Sequence, residues 1–112
     1  MSRFNVAMNQ DDDHLIEAPV NFMGPVVDAI IPGLPSAIIR VYKLFLVVSA
    51  PTNLTFQDGG NPLSGPLPFV ANMSIVLDFD TKPWFTTSAG NPFNINVSGA
   101  AQVSGSIYYV VR

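Results

Sequence analysis

The side chains best suited to catalysis in this chain are its single histidine, His14, and two aspartates that lie close to each other in the sequence, Asp78 and Asp80. A catalytic triad requires a histidine held in place between a nucleophile and a carboxylate. His14 instead follows the acidic run Asp11–Asp13 near the start of the chain, where a terminal segment lacks a fixed position unless something ties it down. We therefore predict no catalytic residue and no enzymatic activity.

Asp78 and Asp80 lie two positions apart in a segment with the pattern of a β-strand, which would place both carboxylates on one face about 7 Å apart. Such a pair could perform acid–base chemistry on a glycoside or supply oxygen ligands to calcium. The simpler interpretation is two charges at the polar end of a strand, beside Lys82. These aspartates are the only metal-ligand candidates we name, and we predict neither a metal nor another cofactor.

Two adjacent aromatic pairs, Trp84-Phe85 and Tyr108-Tyr109, are candidates for a binding surface. In an alternating strand, one member of each pair faces the core and the other faces outward. An exposed Trp or Tyr ring can contact a sugar or a protein partner. We favour a protein interface, with Trp84 and Tyr108 as the outward members, because the chain has so few charged residues.

The composition predicts a protein that associates with others. Of the 112 residues, 48% are hydrophobic and only 12% are charged, against about 25% charged in typical globular domains. A small domain of this kind leaves apolar area exposed, and such patches usually mark interfaces. The net charge of −3 and the five cationic residues provide no basic surface for nucleic acid or anionic lipid. The longest apolar run, Leu44–Val48, is too short to span a bilayer.

Residues 36–112 have the pattern of a single antiparallel β-sandwich, jelly-roll-like, with seven or eight strands. Short runs rich in Ile, Val, Phe and Tyr alternate with clusters of Gly, Pro, Asn and Ser at intervals of about 8–12 residues. The longest run, Ser36–Ala50, predicts a strand with Ile39, Val41, Lys43, Phe45 and Val47 on one face. Gly105, within the last strand, is the expected site of a bulge.

Residues 1–35 form a different region, which we predict to be a Pro-rich, partly extended N-terminal arm. Its four prolines forbid a long helix and a central strand alike. The arm could lie along its own sandwich, with a strand near Pro25–Ile31, or pack on a neighbouring subunit, and we favour the second arrangement. The predicted interface residues are Phe4, Phe22, Val26, Val27, Ile30, Ile31, Leu34, Trp84 and Tyr108.

The carboxyl-terminal part of the chain resembles small β-sandwich structural proteins of tailed bacteriophages. The resemblance rests on PWFTT at 83–87, AGN at 89–91, FNIN at 93–96, QVSG at 102–105 and IYY at 107–109. The upstream segment Leu44–Leu67 is similar in style, so that about two-thirds of the chain is covered; the arm has no counterpart.

The resemblance implies a non-enzymatic virion protein, most simply a capsid decoration or stabilising protein of the head. Such proteins are similar to jelly rolls that assemble as trimers and dock on the shell of the major capsid protein. The implied location is the capsid surface, after assembly in the host cytoplasm. The alternative that we retain is a receptor-binding or carbohydrate-binding head domain of a tail fibre or baseplate.

Overall fold

The computed structural model describes residues 15–112, which form two antiparallel β-sheets packed face to face, without a helix. This confirms the predicted β-sandwich. The strands are β1 (Ile16–Met23), β2 (Val26–Ile31), β3 (Ile39–Val48), β4 (Thr52–Asp58), β5 (Asn61–Pro62), β6 (Leu67–Phe69), β7 (Ser74–Leu77), β8 (Phe85–Thr86), β9 (Phe93–Val97) and β10 (Gln102–Val111). There are ten strands because the predicted arm contributes two of them, β1 and β2, while residues 36–112 contribute eight, of which β5, β6 and β8 span only two or three residues each.

Each sheet contains five strands. Sheet A has the order β1-β10-β3-β7, with β8 pairing another part of β3. Sheet B has the order β2-β9-β4-β5, with β6 pairing another part of β4. The long strands β3 and β10 lie at the centre of sheet A. Their outward side chains therefore stand on backbone that is hydrogen-bonded to a neighbouring strand on both sides.

The core lies between the sheets and is built from the alternate residues that face inward. Its centre is a group of three phenylalanines, in which the Phe56 ring lies 4.7 Å from Phe85 and 6.0 Å from Phe93, centroid to centroid. Aliphatic side chains from β3, β9 and β10 fill the remaining space. In β9 the apolar residues are buried and the residues between them are half-buried, so the alternation in its sequence matches its inner and outer faces.

The part of the predicted arm that the structure describes forms β1 and β2, the outermost strands of the two sheets. β1 pairs with β10 along all eight of its residues, and β2 pairs with β9. Pro19 lies in the middle of β1, which is acceptable because an edge strand has one side free of ladder hydrogen bonds. Residues 16–31 therefore complete the sandwich of their own chain.

A bulge in β3 changes which side chains face the core. Tyr109 of β10 pairs with Val41 while Tyr108 pairs with Lys43, so Tyr42 is an extra residue in β3. Val41 is buried before the bulge, whereas Phe45 is 45% exposed after it. The prediction that Ile39 and Val41 share a face with Phe45 and Val47 is therefore wrong, because an extra residue reverses the alternation.

Gly105 is not the bulge that the sequence predicted. It pairs regularly with Leu46, and its backbone φ is +151°. A Cβ atom at this position would lie 1.9 Å from the carbonyl oxygen of Phe45. Glycine is required here because the backbones of β10 and β3 approach each other too closely for any side chain.

Candidate interaction surface

The outward-facing side of sheet A carries the largest group of exposed apolar side chains on adjacent strands. We call it the A face and define it by the outward residues of β1, β10, β3 and β7. They form three rows: Glu17, Tyr108 and Lys43; Pro19, Ser106, Phe45 and Val76; Asn21, Ser104, Val47 and Ser74.

The middle and last rows make the A face apolar toward its β7 edge. Phe45 is 45% exposed, Val47 is 41% exposed and Val76 is 59% exposed. Phe45 is paired directly with Val76, and Val47 follows two residues later on the same side of β3. Neighbouring strands lie about 4.8 Å apart, so these three side chains form one continuous apolar surface on hydrogen-bonded backbone.

The first row places opposite charges on either side of an aromatic ring. Tyr108 pairs with Glu17 on one side and with Lys43 on the other. The Lys43 ammonium lies 5.3 Å from the centroid of the Tyr108 ring, within range of a cation–π interaction. The Ser106 hydroxyl donates a hydrogen bond to Glu17 Oε2 at 2.8 Å. Both charges are therefore positioned on the sheet by their neighbours.

The outward-facing side of sheet B, which we call the B face, is polar at its centre, with the exposed Val27 beside Asn96 at its β2 edge. Thr55 pairs with Asn96, and Gln57 pairs with Asn94, which puts amides and a hydroxyl at its centre. The Asn94 side-chain amide donates to the carbonyl oxygen of Gly59 at 2.7 Å. This face satisfies its own polar groups in part and shows none of the aromatic surface of the A face.

A buried carboxylate holds together the end of the sandwich at which β4 terminates. Asp58 is 7% exposed. It accepts hydrogen bonds from the Ser88 backbone N–H at 3.0 Å, the Ser88 hydroxyl at 2.9 Å and the Asn91 amide at 3.0 Å. Burial alone would raise the pKa of Asp58, but these three hydrogen bonds together lower it below its ordinary value of 3.8. Asp58 thereby fixes the 88–91 turn, through which the chain passes from sheet A to sheet B.

The structure does not support a paired-carboxylate site at Asp78 and Asp80. β7 ends at Leu77, so both aspartates lie in the following loop rather than on one face of a strand, which corrects the sequence prediction. Both are exposed, and Asp80 accepts a hydrogen bond from the backbone N–H of Thr81 at 2.7 Å. Among residues 15–112 there is no group of three or more His, Cys, Asp or Glu side chains arranged to hold a metal ion.

The predicted interface residues of the arm occupy three kinds of position. Val26, Val27 and Leu34 are 41%, 50% and 54% exposed, and we call these residues of β2 and the segment after it the β2 strip. Val27 faces outward beside Asn96, whereas Val26 pairs with the buried Val97. Phe22 and Ile30 are half-buried against the core, and Ile31 is only 2% exposed, so its side chain is used within the chain. Phe4 lies outside the described residues.

The two aromatic candidates are both accessible. Trp84 is 46% exposed, and its indole N–H donates to the Asp78 carbonyl oxygen at 2.7 Å. Tyr108 is half-buried on the A face, beside Lys43. Phe85, which follows Trp84, and Tyr109, which follows Tyr108, pack against the core, as expected for alternating strands.

Sequence reasoning missed Phe45, Val47 and Val76 as surface residues. The signal that could have found them is the conflict within β3, whose second half is apolar on both faces and cannot be covered by one opposing sheet. The bulge at Tyr42 decides which of the two faces is exposed, and only the pairing with β10 reveals it.

Comparisons of the sequence with protein families and with curated proteins give no relative. No protein-family model matches the chain, and no curated protein matches its sequence. The resemblance to bacteriophage structural proteins therefore stays a prediction. Residues 15–112 contain no helix with the length and apolar character required to cross a membrane.

Proposed function

We propose that this chain is a non-enzymatic structural protein of a virion, one that self-associates and docks on the shell of the major capsid protein. The observation that carries the proposal is that one small sandwich exposes apolar area on both sheets. The A face lies on sheet A, and the β2 strip lies at the edge of sheet B. A protein that assembles with itself and also attaches to a larger surface needs two such areas.

The proposed mechanism is burial of this apolar area across subunit boundaries. Each exposed valine or phenylalanine removed from water contributes roughly 25 cal/mol per Å² of apolar surface. When several copies are linked, attachment can become about 10²–10⁴ times tighter than one contact alone. A decoration protein can therefore reinforce a shell through contacts that are individually weak.

The experiment uses the full chain and phage heads assembled without it. We expect sizing-column light scattering to give a mass above that of one copy, and we expect the protein to co-sediment with the heads. The variant carrying Val26→Ser and Val27→Ser should bind heads less well, whereas Thr55→Ser on the B face should bind normally. A protein that neither associates with itself nor binds heads would overturn the proposal.

A second function, binding of a receptor glycan, is favoured by one observation. The Trp84 ring is half exposed while its N–H is fixed by the Asp78 carbonyl oxygen, which is how a sugar-stacking ring is held rigid. If this is the function, Trp84→Ala should abolish binding on a glycan array without changing the mass in solution. A glycan array that shows no binding by the unmodified chain would remove this alternative.

A further inference from the structure

We infer that the A face binds a second copy of this chain, face to face, about a two-fold axis that runs parallel to β10. The inference deepens the proposed function, because it assigns the self-association to one surface and one geometry. It rests on the arrangement of charge and apolar area in the rows of the A face.

The charged row is complementary to itself. Glu17 on β1 and Lys43 on β3 lie on either side of Tyr108 on β10, about 10 Å apart across two strand spacings. When two such faces are apposed by a two-fold rotation about an axis along β10, β10 lies over the partner's β10. β1 then lies over the partner's β3. Each Glu17 carboxylate therefore faces the Lys43 ammonium of the other copy, and the contact contains two such ion pairs.

The same rotation covers part of the apolar area: Val47 faces Asn21 of the other copy, while Val76 on β7 lies beyond the edge strand β1 of the other copy. The axis passes over Tyr108 and Ser106, so the Tyr108 rings of the two copies meet at the centre. Pro19 of one copy covers the half-exposed Phe45 of the other. A sheet-on-sheet contact of this kind is the ordinary way in which β-sheets bury an apolar face, and an isologous contact requires this self-complementarity.

The occupant is a second copy rather than an unrelated partner because both signs of charge lie in one row and are exchanged by the rotation. The B face offers no comparable pattern: its central residues Thr55, Gln57, Asn94 and Asn96 are uncharged. An isologous contact closes with two copies, whereas the resemblance to phage decoration proteins implies three. The measured mass therefore distinguishes the two geometries.

The test is cross-complementation between two charge-reversed chains. In Glu17→Lys, both ion pairs become lysine facing lysine, and in Lys43→Glu both become glutamate facing glutamate. We expect each variant alone to raise the dimer dissociation constant by about tenfold or more, since like charges in an interface are strongly unfavourable. An equimolar mixture of the two variants should dimerise again, because a mixed pair has Lys facing Glu at both positions.

Controls separate this effect from a loss of folding. Glu17→Lys also removes the acceptor of the Ser106 hydroxyl, so urea unfolding of each variant is measured alongside. The mixture is itself a control, because an intramolecular defect cannot be restored by adding another defective chain. Thr55→Lys places a new charge on the B face and should leave the dimer unchanged.

Several results would overturn the inference: a trimeric or monomeric unmodified protein, single reversals that dimerise normally, or a mixture that fails to associate. Binding to phage heads is measured separately. Retained head binding without two-fold pairing would reject this inference alone. Intact pairing without head binding would reject the proposed docking function and leave the inference standing.

Discussion

The A face and the B face are the two outer surfaces of one sandwich, yet they carry different chemistry. Both lie on antiparallel strands whose inner sides supply the same aliphatic and aromatic core. The A face exposes Phe45 and Val76 near its centre and β7 edge, whereas the centre of the B face presents amides and a threonine, with Val27 exposed only at its β2 edge. Folding requires only the inner sides to be apolar. The apolar character of the A face is therefore not a requirement of folding, which is the reason we propose a contact with another molecule at this face.

The largest expected effect comes from a change that separates the strands beneath the A face. In Gly105→Ala, the new Cβ would lie 1.9 Å from the Phe45 carbonyl oxygen, at a backbone φ of +151°. β10 and β3 would have to move apart, and we expect a loss of about 3 kcal/mol or more in the free energy of unfolding. Urea denaturation followed by tryptophan fluorescence measures it.

The matched control for Gly105 is Gly65→Ala. A Cβ at Gly65 has no heavy atom within 4 Å, and this glycine does not have a left-handed φ. We expect a change of no more than about 0.5 kcal/mol. Equal losses in the two variants would show that the close approach of β10 to β3 does not determine the identity of residue 105.

Much of this architecture could be predicted from the sequence, but the identity of the exposed face could not. The outward position of Tyr108 in β10 was predicted correctly, because its strand shows a period of two on its own. The face of β3 depends on the bulge at Tyr42, which its pairing with Tyr108 and Tyr109 creates. Those partners lie more than sixty residues away in the sequence, so no local pattern in β3 indicates that its alternation reverses at Tyr42.

The edge strands illustrate a second limit of prediction. The prolines at positions 19 and 25 led to the prediction that this region forms no central strand. The prediction is correct, because β1 and β2 each lie at an edge of their sheet. What the sequence could not specify is where β1 and β2 pair, because an edge strand with a proline has no local feature that selects its neighbour. The eight-residue pairing of β1 with β10 supplies Glu17 and Pro19 to the A face.

Sheet B, unlike the A face, carries a buried carboxylate, that of Asp58 at the end of β4. We expect its replacement to have an intermediate effect on the free energy of unfolding. Asp58→Asn replaces an anion that accepts three hydrogen bonds from Ser88 and Asn91. We expect a loss of about 1.5–3 kcal/mol at pH 7, the range for hydrogen bonds to charged groups. Urea unfolding of both proteins at a series of pH values measures the difference.

The pH dependence has a defined sign. The folded-state pKa of Asp58 is lower than its ordinary value of 3.8. Its stabilising contribution is therefore complete well above pH 3.8 and is lost as the pH falls through the lowered folded-state value. The difference between the two proteins should close in that acidic range. The control Asp80→Asn, at an exposed position, should change the free energy of unfolding little at pH 7. A difference that persists unchanged in acid would contradict the role of the charge.

The smallest expected effect concerns Arg40, which lies in β3 beyond the rows of the A face, on the other side of the bulge at Tyr42. Arg40 pairs with Val110 on one side and with Thr86 on the other, and its Nη1 atom is buried without a hydrogen-bond partner in the described part of the chain. A buried donor without a partner costs stability, and replacing it by an apolar group of similar length is often neutral or favourable. We expect Arg40→Met to change the free energy of unfolding by between zero and a gain of about 1 kcal/mol. A clear loss of unfolding free energy would contradict this, because it would show that the Arg40 guanidinium contributes more to stability than the packing of its apolar stem.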